Sequence, residues 1–374
     1  MELKLMLVDS TWPINTRSSR FRISLEKVFS CYICAWNRSN EKAQLHSDSE
    51  LILNTKVGYG NPFRKAMALP MFFLHIIKSL NSLKPDVILA SHWDSLLLCR
   101  LAIFFSKHEP KLIYDCLDLP TASNKFLRLF IGWIDKKNAL NCDLTILASR
   151  YFSEFYSHNN VCIFENYPSQ KLTENLGNPP DWYDNSIFRN GSHKILSWIG
   201  VVRYYEVMSK ILDFIQEQSL DYKFAIFGDG PALNQLKADV KKRKLEDRVF
   251  FFGRYAPADL TYIYEVTDLV WAAYPTRDFN AKYAISNKYF ECSMFSKYIV
   301  VSQDTMMAKK NDSPSIIKID EYSIEDISIK LNSFDNSGNY HAYEPFVTWE
   351  DKEHIIIEEI YKIVKPSDVS GNVL

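Results

Sequence analysis

The sequence predicts an α/β chain made of two doubly wound parallel-sheet domains, and three observations carry that prediction. At 374 residues the chain has room for two domains of roughly 100–200 residues each. Short apolar runs alternate with longer helical patterns through both halves, as they do where helices cover a parallel sheet. Between the halves, residues 168–192 hold Pro168, Gly177, Pro179 and Pro180 among polar side chains, which reads as a linker and surface excursion.

In the front half, apolar runs of strand length lie at 3–8, 31–36, 51–54, 87–91, 111–114, 144–148 and 161–165. Helical periodicity fills the gaps at 63–83, 95–106, 125–141 and 150–158, so residues 1–168 form one Rossmann-like domain. The alternation restarts with strands at 194–199, 223–227, 249–252, 269–273 and 298–302 and helices at 205–217, 232–244, 257–266 and 286–294, giving a second domain over 190–345. A last helical stretch at 349–364 follows a polar loop and can pack on either domain. Two such domains in tandem form a cleft between their facing loops.

Hydrophobic residues are 47% and charged residues 24% of the chain, which excludes disordered, collagen-like and coiled-coil classes. Forty-four Lys and Arg against 45 Asp and Glu leave no global field to collect nucleic acid. The halves differ, however: residues 1–168 carry 20 basic and 15 acidic side chains, so the front is the basic end. Of seven cysteines only Cys31 and Cys34 have Cys-x-x-Cys spacing, and on a strand that separation sends them to opposite faces, so neither a zinc site nor a disulfide framework is expected. The opening MELKLMLVDS reads as a first strand rather than a signal peptide, and no uncharged apolar run reaches the roughly 18–20 residues of a membrane span, the nearest being 66–77. A reducing, cytoplasmic protein that touches a membrane without crossing it is expected.

In open parallel sheets ligands bind beyond the carboxyl ends of the strands, so the residues following each strand are the candidates. After the first strand, Arg17, Arg20 and Arg22 can grip an anion or form a solvated helix start. Gly58-Tyr-Gly60 is a glycine loop entering a helix, suited to a ligand's close approach or to an ordinary turn. His92 follows the fourth strand, where an imidazole can serve as acid, base or donor. Asp115 and Asp118 follow the fifth as base, metal ligand or cap. In the back half Gly200-Val-Val-Arg203 sets a guanidinium beside the free amides of a helix start, an arrangement that suits a diphosphate. Ser286, Asn287, Lys288 and Glu291 open a later helix, with Lys288 and Glu291 one turn apart, either as a ribose and phosphate site or as a plain intrahelical pair. Walker, dinucleotide, nucleophile-elbow and zincin motifs are absent, and so is an Asp-x-Asp metal grip.

Together these segments resemble the retaining glycosyltransferases of family 4, nearly end to end. The resemblance rests on Trp36-Asn-Arg38, KPDVILASHWDSLL and YDCLDLP in front, and on IGVVRYYE, FGDGP, FFGRYAPADL, VTDLVWAAYP and SNKYFECSMFSKYIVVS behind. It implies a GT-B fold, two Rossmann-like domains facing a cleft, and metal-independent transfer of a hexose from a nucleotide diphosphate sugar with retention. By position, Arg203 would bind the diphosphate, Glu291 the ribose, and Ser286, Asn287 and Lys288 the phosphate or donor sugar. His92 would lie near the reacting sugar, the Gly58–Gly60 loop would close on it, and Arg254 and Tyr255 would face the base beside Gly200. Arg17, Arg20 and Asp118 would fall on the acceptor side. Two positions depart from the family pattern: Tyr283 stands where a first Glu is usual, with Asp278 or Asn280 as substitutes, and Met208 stands where a Lys follows the diphosphate Arg.

Related enzymes extend lipid-linked sugars in capsule, O-antigen or exopolysaccharide assembly. Residues 125–137 interleave Phe126, Leu127, Phe130, Trp133 and Ile134 with Lys125, Arg128, Lys136 and Lys137, a basic amphipathic helix suited to an anionic inner-membrane surface or to packing on the sheet. A nucleotide-sugar epimerase of the same shape and a non-catalytic nucleotide-sugar-binding subunit are the rival expectations.

Overall fold

The computed structural model describes residues 2–122, 124–157, 160–174, 178–189, 193–217, 222–335 and 339–365. The chain divides into two compact units, Met1–Glu165 with Lys352–Leu374, and Asn166–Asp351.

The first unit contains β1 (Lys4–Asp9), α1 (Thr16–Leu25), β2 (Ser30–Asn37), β3 (Glu50–Asn54), α2 (Pro62–Leu83), β4 (Val87–Ser91), α3 (His92–Phe104), β5 (Lys111–Cys116), α4 (Lys125–Ala139), β6 (Leu144–Leu147) and β7 (Val161–Ile163). The seven strands form one parallel sheet in the order β3-β2-β1-β4-β5-β6-β7. Leu5–Val8 and Val87–Ala90 are fully buried, as strands covered on both faces must be, which is why they read as unbroken apolar runs. The order reverses between β1 and β4, so the loops after these two strands flank the switch point.

Helix α2 starts at Pro62, with the Asn61 side chain accepting from the Arg64 amide. It buries Ala68, Phe72, Ile76 and Leu80 at four-residue intervals. At 22 residues α2 is long and apolar enough to cross a membrane by length and composition, and it contains the shorter uncharged run at 66–77 together with Arg64, Lys65 and Lys78. The segment expected to be helical over 150–158 is a single 3-10 turn at Arg150–Glu154, and α3 begins at His92, ahead of its expected start.

The second unit contains α5 (Lys171–Glu174), α6 (Ser186–Arg189), β8 (Lys194–Ile199), α7 (Tyr205–Glu217), β9 (Tyr222–Phe227), α8 (Leu233–Arg243), β10 (Val249–Gly253), α9 (Leu260–Glu265), β11 (Leu269–Trp271), α10 (Phe279–Tyr283), α11 (Asn287–Met294), β12 (Tyr298–Ser302), α12 (Met306–Lys309), β13 (Ile316–Ile319) and α13 (Ile324–Asn332). Its parallel sheet has the order β10-β9-β8-β11-β12-β13, with the switch between β8 and β11. The last strand and α13 were not anticipated. Nor is the proline-rich segment a bare linker: Trp182 stands 4.9 Å from Phe227, and Phe188 stands 5.4 Å from Phe252. These aromatic rings add cover to the second unit, which therefore begins near Asn166 rather than 190. Helix α14 (Trp349–Val364) starts in the second unit, where the Trp349 amide donates to the Pro168 carbonyl at 2.8 Å. From Lys352 onward it groups with the first unit, where Glu353 pairs with Lys27.

Candidate functional site

In the second unit the site begins at the turn after β8. Gly200 has φ +114° and donates its amide to the Phe227 carbonyl at 2.8 Å, and Gly228 (φ +146°) donates to the Gly253 carbonyl at 2.6 Å. A Cβ on Gly228 would lie 1.8 Å from the Gly200 carbonyl oxygen, so only glycine lets the turns after β8 and β9 touch. A cavity of about 460 Å³ opens against these turns, lined by Gly200, Gly228, Asp229, Arg254 and Tyr255 among others.

Arg203 ends the first of these turns, exposed, with its guanidinium 4.8 Å from the Tyr204 ring. Among the described residues it makes no ion pair, so its charge is open to a ligand. Tyr204 has φ +62°, and α7 starts directly after it. On α7 Met208 faces the core and is fully buried, which explains why no lysine stands there.

Ser286 caps α11, its hydroxyl accepting from the Lys288 amide at 3.3 Å and lying 3.3 Å from the Tyr274 hydroxyl. Asn287 is half-buried at the first helical position. The Lys288 ammonium faces Gly200: a Cβ built there would lie 3.2 Å from Nζ and 4.0 Å from the Tyr255 hydroxyl. Burial opposes the charge on Lys288, yet Tyr274, Glu291 and Tyr255 hold its pKa above the ordinary value, so it is a cation at neutral pH. One turn on, Glu291 is buried and accepts from the Tyr264 hydroxyl at 2.6 Å. Burial first, and then the Glu291 charge, push that phenol well above its usual pKa. Arg254 is exposed and pairs with Asp229 at 3.0 Å, and the Arg254 hydrogen bond together with the Gly230 amide holds the Asp229 carboxyl below its ordinary pKa. Of the two substitutes for the missing Glu, Asp278 caps α10 by accepting from the Asn280 backbone amide at 3.0 Å. Tyr283 packs at 5.2 Å on Phe279.

In the first unit, Gly58 and Gly60 have φ of +83° and +86°, with open space where side chains would be. Their loop is pinned from beneath: the Gly58 amide donates to the Arg38 carbonyl at 2.7 Å, and the Tyr59 hydroxyl donates to the Trp12 carbonyl at 2.7 Å. His92 is half-buried with φ +67°, an uncommon backbone state for a non-glycine residue, at the carboxyl end of β4 beside the switch point. Asp94 is buried and paired with Lys65, whose ammonium also donates to the Ser10 hydroxyl at 3.1 Å. Burial opposes ionisation of Asp94, but Lys65 and then His92 hold its pKa below the ordinary value.

Arg17 is not an open anion grip, and this corrects the expectation for the acceptor side. It is buried, its Nε donates to Asp115 at 2.9 Å, and its Nη2 donates to the Phe164 carbonyl at 2.6 Å. Asp115 is thereby committed to a structural pair, while Asp118 is exposed, so the two carboxylates do not act together. Arg20 is half-buried on α1. Among the described residues no group of three or more His, Cys, Asp or Glu is placed to hold a metal ion.

Sequence reasoning missed Lys65, Asp94, Tyr264, Tyr274 and Arg277. The last follows β11 at the second switch point, with its guanidinium 4.3 Å from the Tyr322 ring and 3.8 Å from Glu206. Position after a strand at the switch was the signal that could have found Arg277.

No family model matches the chain, and no curated protein matches it. Solved structures do. Sucrose-phosphate synthase from Thermosynechococcus elongatus superposes with a TM-score of 0.73 at 10% identity, covering 96% of this chain and 98% of that one. HepE from Anabaena, solved in complex with UDP-glucose, gives 0.65 at 12% identity over 97% and 96%. A UDP-N-acetylglucosamine 2-epimerase structure from Listeria monocytogenes gives 0.62 at 12% identity over the full length of both chains. The chain therefore has the GT-B fold, two Rossmann-like domains in tandem, shared by structures of nucleotide-sugar glycosyltransferases.

Proposed function

We propose that this chain is a retaining glycosyltransferase of the family 4 type, moving a hexose from a nucleotide diphosphate sugar to a glycan or lipid-linked acceptor in surface-polysaccharide assembly, at the cytoplasmic face of the membrane. One observation carries the reading: the Gly200 turn is followed by the open guanidinium of Arg203 and faced by the ammonium of Lys288, with Glu291 one helical turn behind. Departure of a nucleoside diphosphate concentrates negative charge on phosphate. Fixed cations and backbone amides aimed at that charge are what lowers the barrier, commonly by 10²–10³-fold per donor removed. Arg203 and Lys288 stabilise the leaving group, Glu291 accepts from the ribose hydroxyls, and His92 and the Gly58–Gly60 loop act on the donor sugar. No metal is required, because the two cations take its place.

Thermal shift and nucleotide release with UDP-, GDP-, dTDP- and CMP-sugars, with and without EDTA, test the reading. Stabilisation by one diphosphate sugar that survives EDTA, together with a fall in turnover of about 10² or more in Arg203→Ala, is the expected result. No stabilisation by any of them would leave a non-catalytic partner subunit, and a strict metal requirement would overturn the diphosphate site. The likeness to an epimerase structure keeps a second reading in view. An epimerase would interconvert the donor sugar in the absence of any acceptor.

A further inference from the structure

The face of the first unit built by α2, α3 and α4 leaves a large apolar surface uncovered. Opposite the buried stripe of α2, Phe63, Met67, Met71 and Leu74 are 73%, 70%, 52% and 64% exposed. On α4 only Asp135 and Ala139 are buried, while Phe126 is 82% exposed and Phe130 and Trp133 are more than half exposed. Helix α3 packs on both neighbours and ends in exposed Phe104 and Phe105. Isolated apolar residues on a surface need no account, but a run of this kind over three adjacent helices marks an interaction surface.

The charge on this face has one sign. Helix α2 presents exposed Arg64 and Lys78 and carries no acid, its Lys65 being turned inward onto Asp94, and α4 carries Lys125, Arg128, Lys136 and Lys137 with a single acid, the buried Asp135. Between α3 and α4 lies a cavity of about 300 Å³ lined in part by Arg100, Trp133 and Lys137, with the Lys137 ammonium 5.1 Å from the Trp133 ring. Arg100 Nη2 donates to the Asn138 and Asn141 carbonyls, and its Nε is buried without a partner. Aromatic rings interleaved with basic side chains and free of exposed acid complement one occupant best, a bilayer surface rich in anionic headgroups.

We propose that the α2–α3–α4 face docks on an anionic lipid bilayer, with α2 and α4 flanking α3 in the plane of the interface and the Arg100–Lys137 cavity seating a lipid phosphate. Helix α2 lies on the membrane rather than through it, because Phe72, Ile76 and Leu80 are fully buried in the unit's core and could not leave without stripping the sheet. Both helices begin beyond the carboxyl end of the sheet, so docking brings the Gly58–Gly60 loop and Asp118 to the headgroup level. The inference deepens the reading of a lipid-linked acceptor and rests on that reading only for what those loops would meet there.

Vesicle co-sedimentation of the full chain tests it, with phosphatidylcholine vesicles alone and with phosphatidylglycerol added. Wild type should partition at least about tenfold more strongly to the anionic vesicles, with salt weakening the difference. Met67→Glu with Met71→Glu on α2, and Phe126→Glu with Phe130→Glu on α4, should each lower partitioning about tenfold or more, with the melting temperature and nucleotide-sugar stabilisation unchanged. Equal partitioning of wild type to both vesicles would overturn the docking. An α2 variant that binds as wild type does would overturn the two-helix footprint. Self-association abolished by the same substitutions, without vesicle binding, would assign the face to a second copy of the chain and overturn the bilayer. Loss of vesicle binding with nucleotide-sugar stabilisation intact leaves the transferase reading standing, and the reverse result removes that reading alone.

Discussion

The ammonium of Lys288 sits 3.2 Å from the point where a side chain would begin at Gly200, so the turn after β8 and the first turn of α11 share one small space. Gly200→Ala adds a methyl group to that space at φ +114°, a backbone state that costs an L-residue about 1 kcal/mol or more. The lysine is flexible enough to give way, so the fold survives with a melting temperature a few degrees lower, but the ammonium leaves its place. Donor affinity, measured by calorimetry, should fall about tenfold, the price of one displaced charged hydrogen bond. Gly228→Ala is expected to be far worse for folding, since its methyl meets the Gly200 carbonyl at 1.8 Å and backbone cannot yield as a lysine can. Wild-type donor affinity in Gly200→Ala would remove this pairing from the site.

Glu291 and Tyr264 offer a cleaner separation of binding from stability. The carboxylate is buried with Tyr264 donating at 2.6 Å, which orients it and leaves its other oxygen for a ligand. Glu291→Gln should weaken donor binding about tenfold, and Tyr264→Phe should weaken it less, by loosening the orientation. A double-mutant cycle on donor affinity should give a coupling of about 1 kcal/mol. Were Glu291 only a core hydrogen-bond partner, the melting temperature would drop while donor affinity stayed put.

The sequence made the strands legible because parallel strands covered on both faces must be apolar throughout; it made the Gly200–Arg203 segment legible because it follows a strand end, and the Ser286–Glu291 segment because it opens a helix with Lys288 and Glu291 one turn apart. It could not show Arg17 bound to Asp115, a contact spanning 98 residues that exists only once β1 and β5 share a sheet. The segment from 168 to 192 misled for a different reason. Counting Pro and Gly finds a break in regular structure, but Trp182 and Phe188 make that break part of a core around Phe227 and Phe252. Met208 was readable as a missing lysine, yet only the packing of α7 on its sheet shows that the position faces inward.

The Arg17–Asp115 pair leads to a prediction that separates strut from ligand site. Both side chains are almost wholly buried, so removing one leaves an uncompensated charge inside the first unit. Arg17→Ala should cost about 3–5 kcal/mol in denaturant unfolding, while Arg17→Met combined with Asp115→Leu should recover most of that loss. Acceptor KM in the double variant should stay near wild type. A large rise in acceptor KM with stability restored would return Arg17 to the acceptor side.

Helix α4 carries a buried acid whose ionisation the protein resists. Asp135 is buried, accepts a hydrogen bond from the Tyr156 hydroxyl, and has its pKa pushed up from 3.8 to about 6, chiefly by burial. Because the folded state holds this proton more tightly than the unfolded chain does, the contribution to stability is greatest below about pH 4. It declines as pH rises through about 6 and is constant beyond that. Asp135→Asn keeps the shape and an acceptor for Tyr156 but removes the titration. Relative to wild type it should therefore gain roughly 1–3 kcal/mol between pH 4 and pH 8, seen as a melting-temperature difference that widens by several degrees over that range. A difference that is flat with pH would mean that Asp135 ionises as readily in the fold as out of it, and that α4 is held by packing alone.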